Sequence, residues 1–280
     1  MSKRRQYPNP AFQQINEAHP LADSLVFAGY FEGGNLIAAR GGMPSSNETF
    51  VVATPRGIAQ SGDAPKITFA RPAGLSQIQG SFLLNFRSTG GTPATLGKFF
   101  IADAGNLQFY RGGVDTSVRL QIETSQAQFT GLPDLWDLNE HQLAGTWEDV
   151  SNVRQLRVDG IWQTNDTTAF TPNTTLGDLT LLNQGPTEGR RVEGVMGYCL
   201  MFNKVLPRAM IEALETDPYQ LLNLEPIIIP VYVPLVLVAP LVCDEILAPD
   251  VLQTQTNLTG AVTDIDESVD TPDGLWLVSP

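Results

Sequence analysis

From Leu25 onward the chain alternates short apolar runs with turn residues: LVFAGYF, ETFVVATP, KITFA, SFLLNF, KFFIA, LQFY, VRLQIE, HQLAGTW, RQLRVDG, LTLLN and VEGVMGYCLMFN. Several alternate with period two, the spacing at which a half-buried strand turns one side chain inward and the next outward. In RQLRVDG this places Leu156 and Val158 on one face and Arg157 and Asp159 on the other. In the last run, Tyr198 and Phe202 are expected on one face with Leu200 opposing. About eleven such runs at spacings near a dozen residues predict an all-β fold, a two-sheet antiparallel sandwich. One helix is predicted in LPRAMIEALE, where Pro207 suits the first turn, Met210, Ile211 and Leu214 recur at helical spacing, and Pro218 limits the element downstream.

Outside this region the pattern changes. Residues 1–17 are polar, carry Pro8 and Pro10, and are expected to form an N-terminal arm. The sandwich is assigned to 18–225. Residues 226–280 are expected to be an extended C-terminal arm, opening on a strongly apolar stretch interrupted by Pro226, Pro230, Pro234 and Pro240. Prolines so close together would break a helical ladder repeatedly, and no interval between them reaches the ~20 residues a membrane span needs. An extended segment lying in a groove or on a sheet edge fits better, with Ile228, Tyr232, Leu235, Leu237 and Leu241 as expected assembly contacts. Self-association is the natural way to hide that much apolar surface. The last residues form an acidic terminal segment.

Composition narrows the function classes. The 25 Gly and 20 Pro in 280 residues punctuate the chain as an all-β fold requires. A net charge of -13 argues against binding a phosphate backbone, and no Lys or Arg follows Arg208. Cys199 and Cys243 are too few for a disulfide framework and have no metal-ligand spacing, so both are expected as buried thiols. The opening MSKRRQYPNP is not followed by an apolar stretch, so no secretory signal is expected, and folding is assigned to a cytosol.

Candidate chemistry is sparse. Retaining glycoside hydrolysis needs two carboxyls ~5 Å apart, as an acidic pattern on one strand face supplies them. The nearest string, Asp264, Asp266 and Glu267, lies in the C-terminal arm among turn residues, so no catalytic residue is assigned and the chain is read as a non-enzyme. The two histidines, His19 and His141, lie near no nucleophile motif and are expected to be structural. Asp103 and Asp149, in loop-like sequence, are weak candidates for a Ca²⁺ ion, and no other cofactor is expected. The glycine pairs 33–34, 90–91 and 112–113 precede no helix, which removes a phosphate cradle and leaves hairpin turns. A sugar stacks its apolar face on an exposed ring, which makes Trp136, in LPDLWDLNE, the leading glycan candidate; Trp147 lies in a core strand, and Trp162 follows the VDG turn.

Three blocks resemble a known family. HPLADSLVFAGYFEGG is similar to the opening of laminin-G-like, concanavalin-A-like lectin jelly-roll domains of tailed-phage proteins. HQLAGTW followed by LRVDG resembles their paired strands with "H-x-VA-x-T" and "Y-x-DG". VEGVMGYCLMFNKVLPRAMIEALETDPYQLL is similar to their closing strand, short helix and aromatic "PW" element, although Phe202-Asn203-Lys204 replaces the usual "YNR" and Tyr219 stands where Trp is commoner. The blocks come in family order over residues 19 to about 222, and TDIDESVDTPDGLW resembles a segment of phage virion proteins. The resemblance implies a structural component of a phage virion: a head decoration, fibre or tail-attached protein. Its implied partners are other virion proteins and copies of itself. The alternative is an adhesion module for host-surface glycans.

Overall fold

A computed structural model describes residues 14–34, 36–47, 51–60, 67–89, 98–103, 107–112, 117–172, 176–182, 192 and 194–222. The strands among them, in chain order, are β1 (Leu25–Tyr30), β2 (Ser46–Asn47), β3 (Val51–Thr54), β4 (Gly57–Gln60), β5 (Ile67–Phe69), β6 (Gln79–Ser88), β7 (Lys98–Asp103) and β8 (Leu107–Arg111). They continue with β9 (Val118–Ile122), β10 (Ser125–Phe129), β11 (Glu140–Glu148), β12 (Val153–Val158), β13 (Ile161–Trp162), β14 (Leu179–Leu181) and β15 (Gly194–Phe202), and the helix α1 (Arg208–Thr216) follows. Every apolar run picked out by periodicity carries a strand. The additional strands β2, β4, β10 and β13 are short; in β10 the run SQAQF reads as polar, yet Ala127 and Phe129 both point inward and are buried.

Two antiparallel sheets make an all-β jelly-roll sandwich with one short helix. One sheet runs β13-β12-β11-β6-β15-β4-β3, with β1 pairing the far end of β15; the other runs β10-β9-β8-β7-β14-β5-β2. Between them lies a core rich in aromatic rings, in which Phe82 packs on Phe109 at 4.3 Å and Phe86 on Phe100 at 5.1 Å between centroids. Alternation is obeyed in β12: Leu156 and Val158 are fully buried, and Arg157 faces the other way. The expected opposition of Leu200 to Tyr198 and Phe202 is corrected. All three lie on the outer face, as a two-residue period demands, while Cys199 and Met201 point into the inter-sheet core.

The helix covers part of that outer face. Ile211 and Leu214 pack with Leu83, Ala144, Tyr198 and Leu200 into a second, smaller core. Met210, expected among the packing residues, is 39% exposed, because the buried stripe runs through Ile211, Leu214 and Glu215 instead. The aromatic element beyond the helix is pinned to β1: the Tyr30 hydroxyl donates to the Pro218 carbonyl at 2.7 Å, and the Tyr219 ring lies 5.4 Å from that of Tyr30. Burial holds the Tyr30 hydroxyl well above its ordinary pKa, so it stays a donor. Ile15 and Asn16, expected in the N-terminal arm, belong to the sandwich. Ile15 is buried and bridges Leu222, and the Asn16 N–H donates to the Leu221 carbonyl at 2.8 Å.

Candidate functional site

A polar pocket of about 280 Å³ opens on the outer face of the larger sheet and is lined by Glu32, Arg56, Asn85, Arg87, Glu140, Val195 and Gly197. Its floor is a β-bulge. Met196 pairs Phe86 and Cys199 pairs Leu84, so Gly197 and Tyr198 together oppose the single residue Asn85. A bulge leaves N–H groups without a ladder partner, and buried N–H groups must find acceptors. Here the Asn85 side chain supplies one: Oδ1 accepts from the N–H of Gly197 at 2.8 Å and of Tyr198 at 2.7 Å. The Gly197 carbonyl accepts from the N–H of Phe31 at 2.7 Å and of Glu32 at 3.2 Å, which carries the chain leaving β1 over the bulge.

With its oxygen committed, Asn85 turns its amide nitrogen to the pocket carboxylates, donating to Glu140 Oε1 at 3.1 Å and reaching Glu32 Oε1 at 3.5 Å. Asn85 is 4% and Glu32 7% exposed, so both are fixed by burial, whereas Glu140 is open to solvent. Gly197 is required by close approach, since a Cβ there would lie 2.6 Å from Glu32 Oε1 and 2.7 Å from both polar atoms of the Asn85 amide. Arg56 enters from the turn between β3 and β4, where it bridges Glu32 through the backbone. Arg87 comes from β6 opposite Glu140, and its Nε donates to the Leu138 carbonyl at 3.0 Å. The cavity therefore holds two carboxylates, two guanidinium groups and one oriented amide.

Gln142, cross-strand from Asn85, leads along the same face into a second, more open depression of about 400 Å³ beside α1. It is lined by Arg157, Asp159, Gly160, Glu212, Glu215 and Thr216 besides Gln142. Arg157 ties the helix to the sheet, donating from Nε to Glu215 Oε2 at 2.7 Å and from Nη1 to Glu212 Oε1 at 3.1 Å. Burial raises the Glu215 pKa above the usual carboxylate value, opposed by Arg157 and reinforced by Glu212 and Asp159. Trp162 closes the far side: its Nε1 donates to Glu212 at 3.1 Å, and the Arg208 and Arg157 guanidinium carbons lie 4.7 and 5.4 Å from its ring centroid.

Of the residues singled out from sequence, Trp136, Trp147, Asp103 and Asp149 line neither depression. Trp136 is corrected as a glycan platform: it is 7% exposed, and its ring is occupied by Phe86 at 5.6 Å, Phe100 at 6.3 Å and the Arg111 guanidinium at 4.9 Å. The polar residues of LPDLWDLNE resemble a loop tip, and Asp134 Oδ1 accepts from the backbone N–H of Trp136 at 2.9 Å. Trp147 is fully buried and donates to the Ser76 carbonyl. Asp103 ends β7 in the smaller sheet and Asp149 lies in the turn after β11 of the larger sheet, so the two do not share a loop. Among the described residues no group of three or more His, Cys, Asp or Glu converges as a metal site. The expected assembly contacts Ile228, Tyr232, Leu235, Leu237 and Leu241, together with Cys243, lie outside the described residues. Cys199 is a buried free thiol with its pKa pushed up by burial.

His141 is 3% exposed and lies between two carboxylates, with Nδ1 at 2.7 Å from Asp159 and Nε2 at 2.9 Å from Asp137. Hydrogen bonding to Asp159 raises its pKa above 6.5 against the opposing effect of burial. The neighbouring Asn139 side chain and N–H, with His141, hold Asp137 below the usual carboxylate range. The same Asp159 caps the Gln142 N–H at 2.8 Å, so this histidine fastens two strands together.

No protein-family model matches the chain, and no curated protein matches it. Solved structures do. The binding domain of botulinum neurotoxin DC, in complex with rat synaptotagmin II, aligns over 71% of this chain and 52% of its own at 13% identity, with a TM-score of 0.57. Botulinum neurotoxin type C, whose cell entry depends on interaction with two ganglioside molecules, aligns over 70% and 52% at 12% identity, with a TM-score of 0.55. Trypanosoma rangeli sialidase in complex with 2,3-difluorosialic acid aligns over 75% and 36% at 11% identity, with a TM-score of 0.52. The chain spans about half or less of each of these. At such identities the likeness is one of fold, that of a β-sandwich.

Proposed function

We propose that the protein is a non-catalytic carbohydrate-binding module whose site is the polar pocket over the β15 bulge. One observation carries this: the pocket is walled by polar side chains joined through one amide, Asn85 and Glu140 on paired strands and the buried Glu32 on the bridged segment just after β1. Sugar hydroxyls both donate and accept, so a set of immobilised amide and carboxylate groups recognises them without first paying to order itself. The size of the cavity, at the low end of the ~300–1,000 Å³ of ligand pockets, suits one sugar unit. Fold likeness to a ganglioside-dependent toxin supplies a scaffold precedent only; the pocket carries the argument. Asn85 donates to both carboxylates, which favours their service as acceptors over a division into acid and base.

A glycan array probed with the full chain, with and without Ca²⁺, is the test, alongside Glu140→Ala, which removes an exposed lining group. Binding of a defined glycan class that Glu140→Ala weakens is expected. Uniform absence of binding would remove the proposal, and release of reducing sugar by the unmodified chain would make the pocket an active site.

The setting we propose is the surface of a tailed-phage particle, with the sandwich displayed and the C-terminal arm attached to neighbouring subunits. Its support is the order of the three sequence blocks between residues 19 and 222 and the proline-interrupted apolar stretch after Pro226. Loss of particle incorporation on removal of residues 226–280 is the expected outcome; unchanged incorporation would leave the arm without an assembly role.

A further inference from the structure

We infer that the ligand of this pocket is a sugar bearing a carboxylate, a uronate or sialate unit, gripped by Arg56 and Arg87. The inference rests on the glycan assignment above and names its ligand class. Three other arginines of the sandwich are held by carboxylates: Arg40 by Glu17, Arg154 by Asp166, and Arg157 by Glu212 and Glu215. Arg56 and Arg87 are not. Both line one cavity with Glu32 and Glu140, yet no ion pair joins either arginine to a carboxylate among the described residues.

Asn85 Nδ2 donates to Glu140 Oε1 at 3.1 Å and lies 3.5 Å from Glu32 Oε1, so the near oxygen of each carboxylate faces the amide. Arg87 is held at Nε by the Leu138 carbonyl, which fixes the plane of its fork and leaves both Nη groups without a hydrogen bond to any described residue. The Arg56 guanidinium likewise makes none, and only its backbone N–H is engaged, by the Thr54 hydroxyl at 3.3 Å. A guanidinium presents parallel N–H donors at the spacing of two carboxylate oxygens, so two uncommitted forks in one cavity form an anion seat of a planar kind. The chain carries 30 Asp and Glu against 17 Lys and Arg, so long-range attraction of an anion is not what the surface as a whole provides. Selectivity must come from the local pair, and the exposed Glu140 beside it accepts from a ring hydroxyl on the same sugar.

The experiment is calorimetric titration of the full chain with four probes: an oligogalacturonate tetramer, 3′-sialyllactose, a sulfated galactose oligomer and neutral lactose. Arg56→Gln tests the grip at an exposed position where folding is undemanding, Arg87→Gln tests it at the fixed fork, and Arg71→Gln, an exposed arginine that does not line the pocket, is the control. We expect one of the two carboxylated probes to bind, Arg56→Gln to weaken it by about ten-fold, as loss of a charge-assisted pair does, and the control to leave it unchanged. Added salt should weaken the parent more than Arg56→Gln. Binding of lactose as tight as that of the carboxylated probes, insensitive to Arg56→Gln, overturns the carboxylate assignment and leaves glycan binding standing. Binding of the sulfated probe alone also overturns it. Failure of all four probes while the array yields a different ligand refutes this inference only, and failure on the array too removes both.

Discussion

Replacing Arg154 by Met removes a guanidinium that the fold buries completely. Arg154 lies on β12 of the larger sheet and donates across to the start of β10 in the smaller one, to the Ser125 carbonyl at 2.9 Å and its hydroxyl at 3.1 Å. It also holds the following loop, through the Thr168 carbonyl at 3.2 Å and Asp166 Oδ1 at 2.8 and 3.2 Å, and its charge lies 5.1 Å from the Phe170 ring centroid. Methionine keeps much of the volume and none of these bonds. Breaking a buried ion pair from one side costs about 3–5 kcal/mol, because the partners are stranded. The Asp166 side chain is 21% exposed and recovers some water, which puts the expected loss at the low end, about 3 kcal/mol. For a domain of this size that corresponds to a fall in Tm of roughly 6–12 °C by calorimetry. Adding Asp166→Asn should then cost little more, since the stranded carboxylate is gone, although Asp166→Asn alone is destabilising. A melting temperature for Arg154→Met within a degree or two of the parent would refute the clamp between the sheets.

Three further outcomes are expected. The His141 pKa is raised in the fold, so its stabilising effect is complete below about pH 6.5 and is lost as pH climbs through the raised value; His141→Gln should cost roughly 2 kcal/mol near pH 6 and less near pH 9 in urea titrations, and a gap that widens with pH would contradict the sign. Asn85→Leu strands the N–H groups of Gly197 and Tyr198 and should cost about 2–5 kcal/mol in urea titrations; a stability equal to the parent's would mean the bulge finds other acceptors. Trp136→Phe should leave glycan affinity unchanged, because the ring is buried in the inter-sheet core, and a several-fold loss on titration would return Trp136 to the site.

The fold was legible because half-buried strands announce themselves by alternation, and the motif pairs have direct physical counterparts. The histidine of HQLAGTW and the aspartate of LRVDG touch, His141 Nδ1 to Asp159 Oδ2, across neighbouring strands joined in register. The two-residue turn that follows is also readable, since Asp159 and Gly160 both take positive φ, at 48° and 82°, as a hairpin of this length requires. The pocket was not legible, because its residues come from five separate stretches and none forms a local motif. Glu32 lies inside the opening FEGG, Glu140 stands one residue before His141, and Arg56 is in an unremarkable turn. The available signal was Asn85, a polar residue flanked by Leu84 and Phe86 in SFLLNF, at a position where a strand interior ordinarily has no use for an amide. The search for aromatic platforms led instead to Trp136, because sequence does not reveal whether a loop tryptophan turns outward or inward.

The bulge explains why the pocket lies where it does. A regular β15 would place the residue after Met196 directly opposite Asn85 and continue the ladder, leaving the amide nothing to accept and the outer face flat. The extra residue at 197–198 reverses which side chains point inward beyond it, so that Met196 and Cys199 both reach the inter-sheet core while Tyr198 turns out toward the helix. Helix α1 can then cover only the part of the outer face that Tyr198, Leu200 and Phe202 make apolar. On the other side of the bulge the outward residues are Val195, Arg87 and Glu140, which gain nothing from a helical cover and remain open. Asn85 sits at that boundary and serves both sides: its oxygen satisfies the backbone that the bulge exposes, and its nitrogen faces the carboxylates of the pocket. Stability of the sandwich and chemistry of the pocket are therefore coupled through one amide, and a substitution there cannot change either alone.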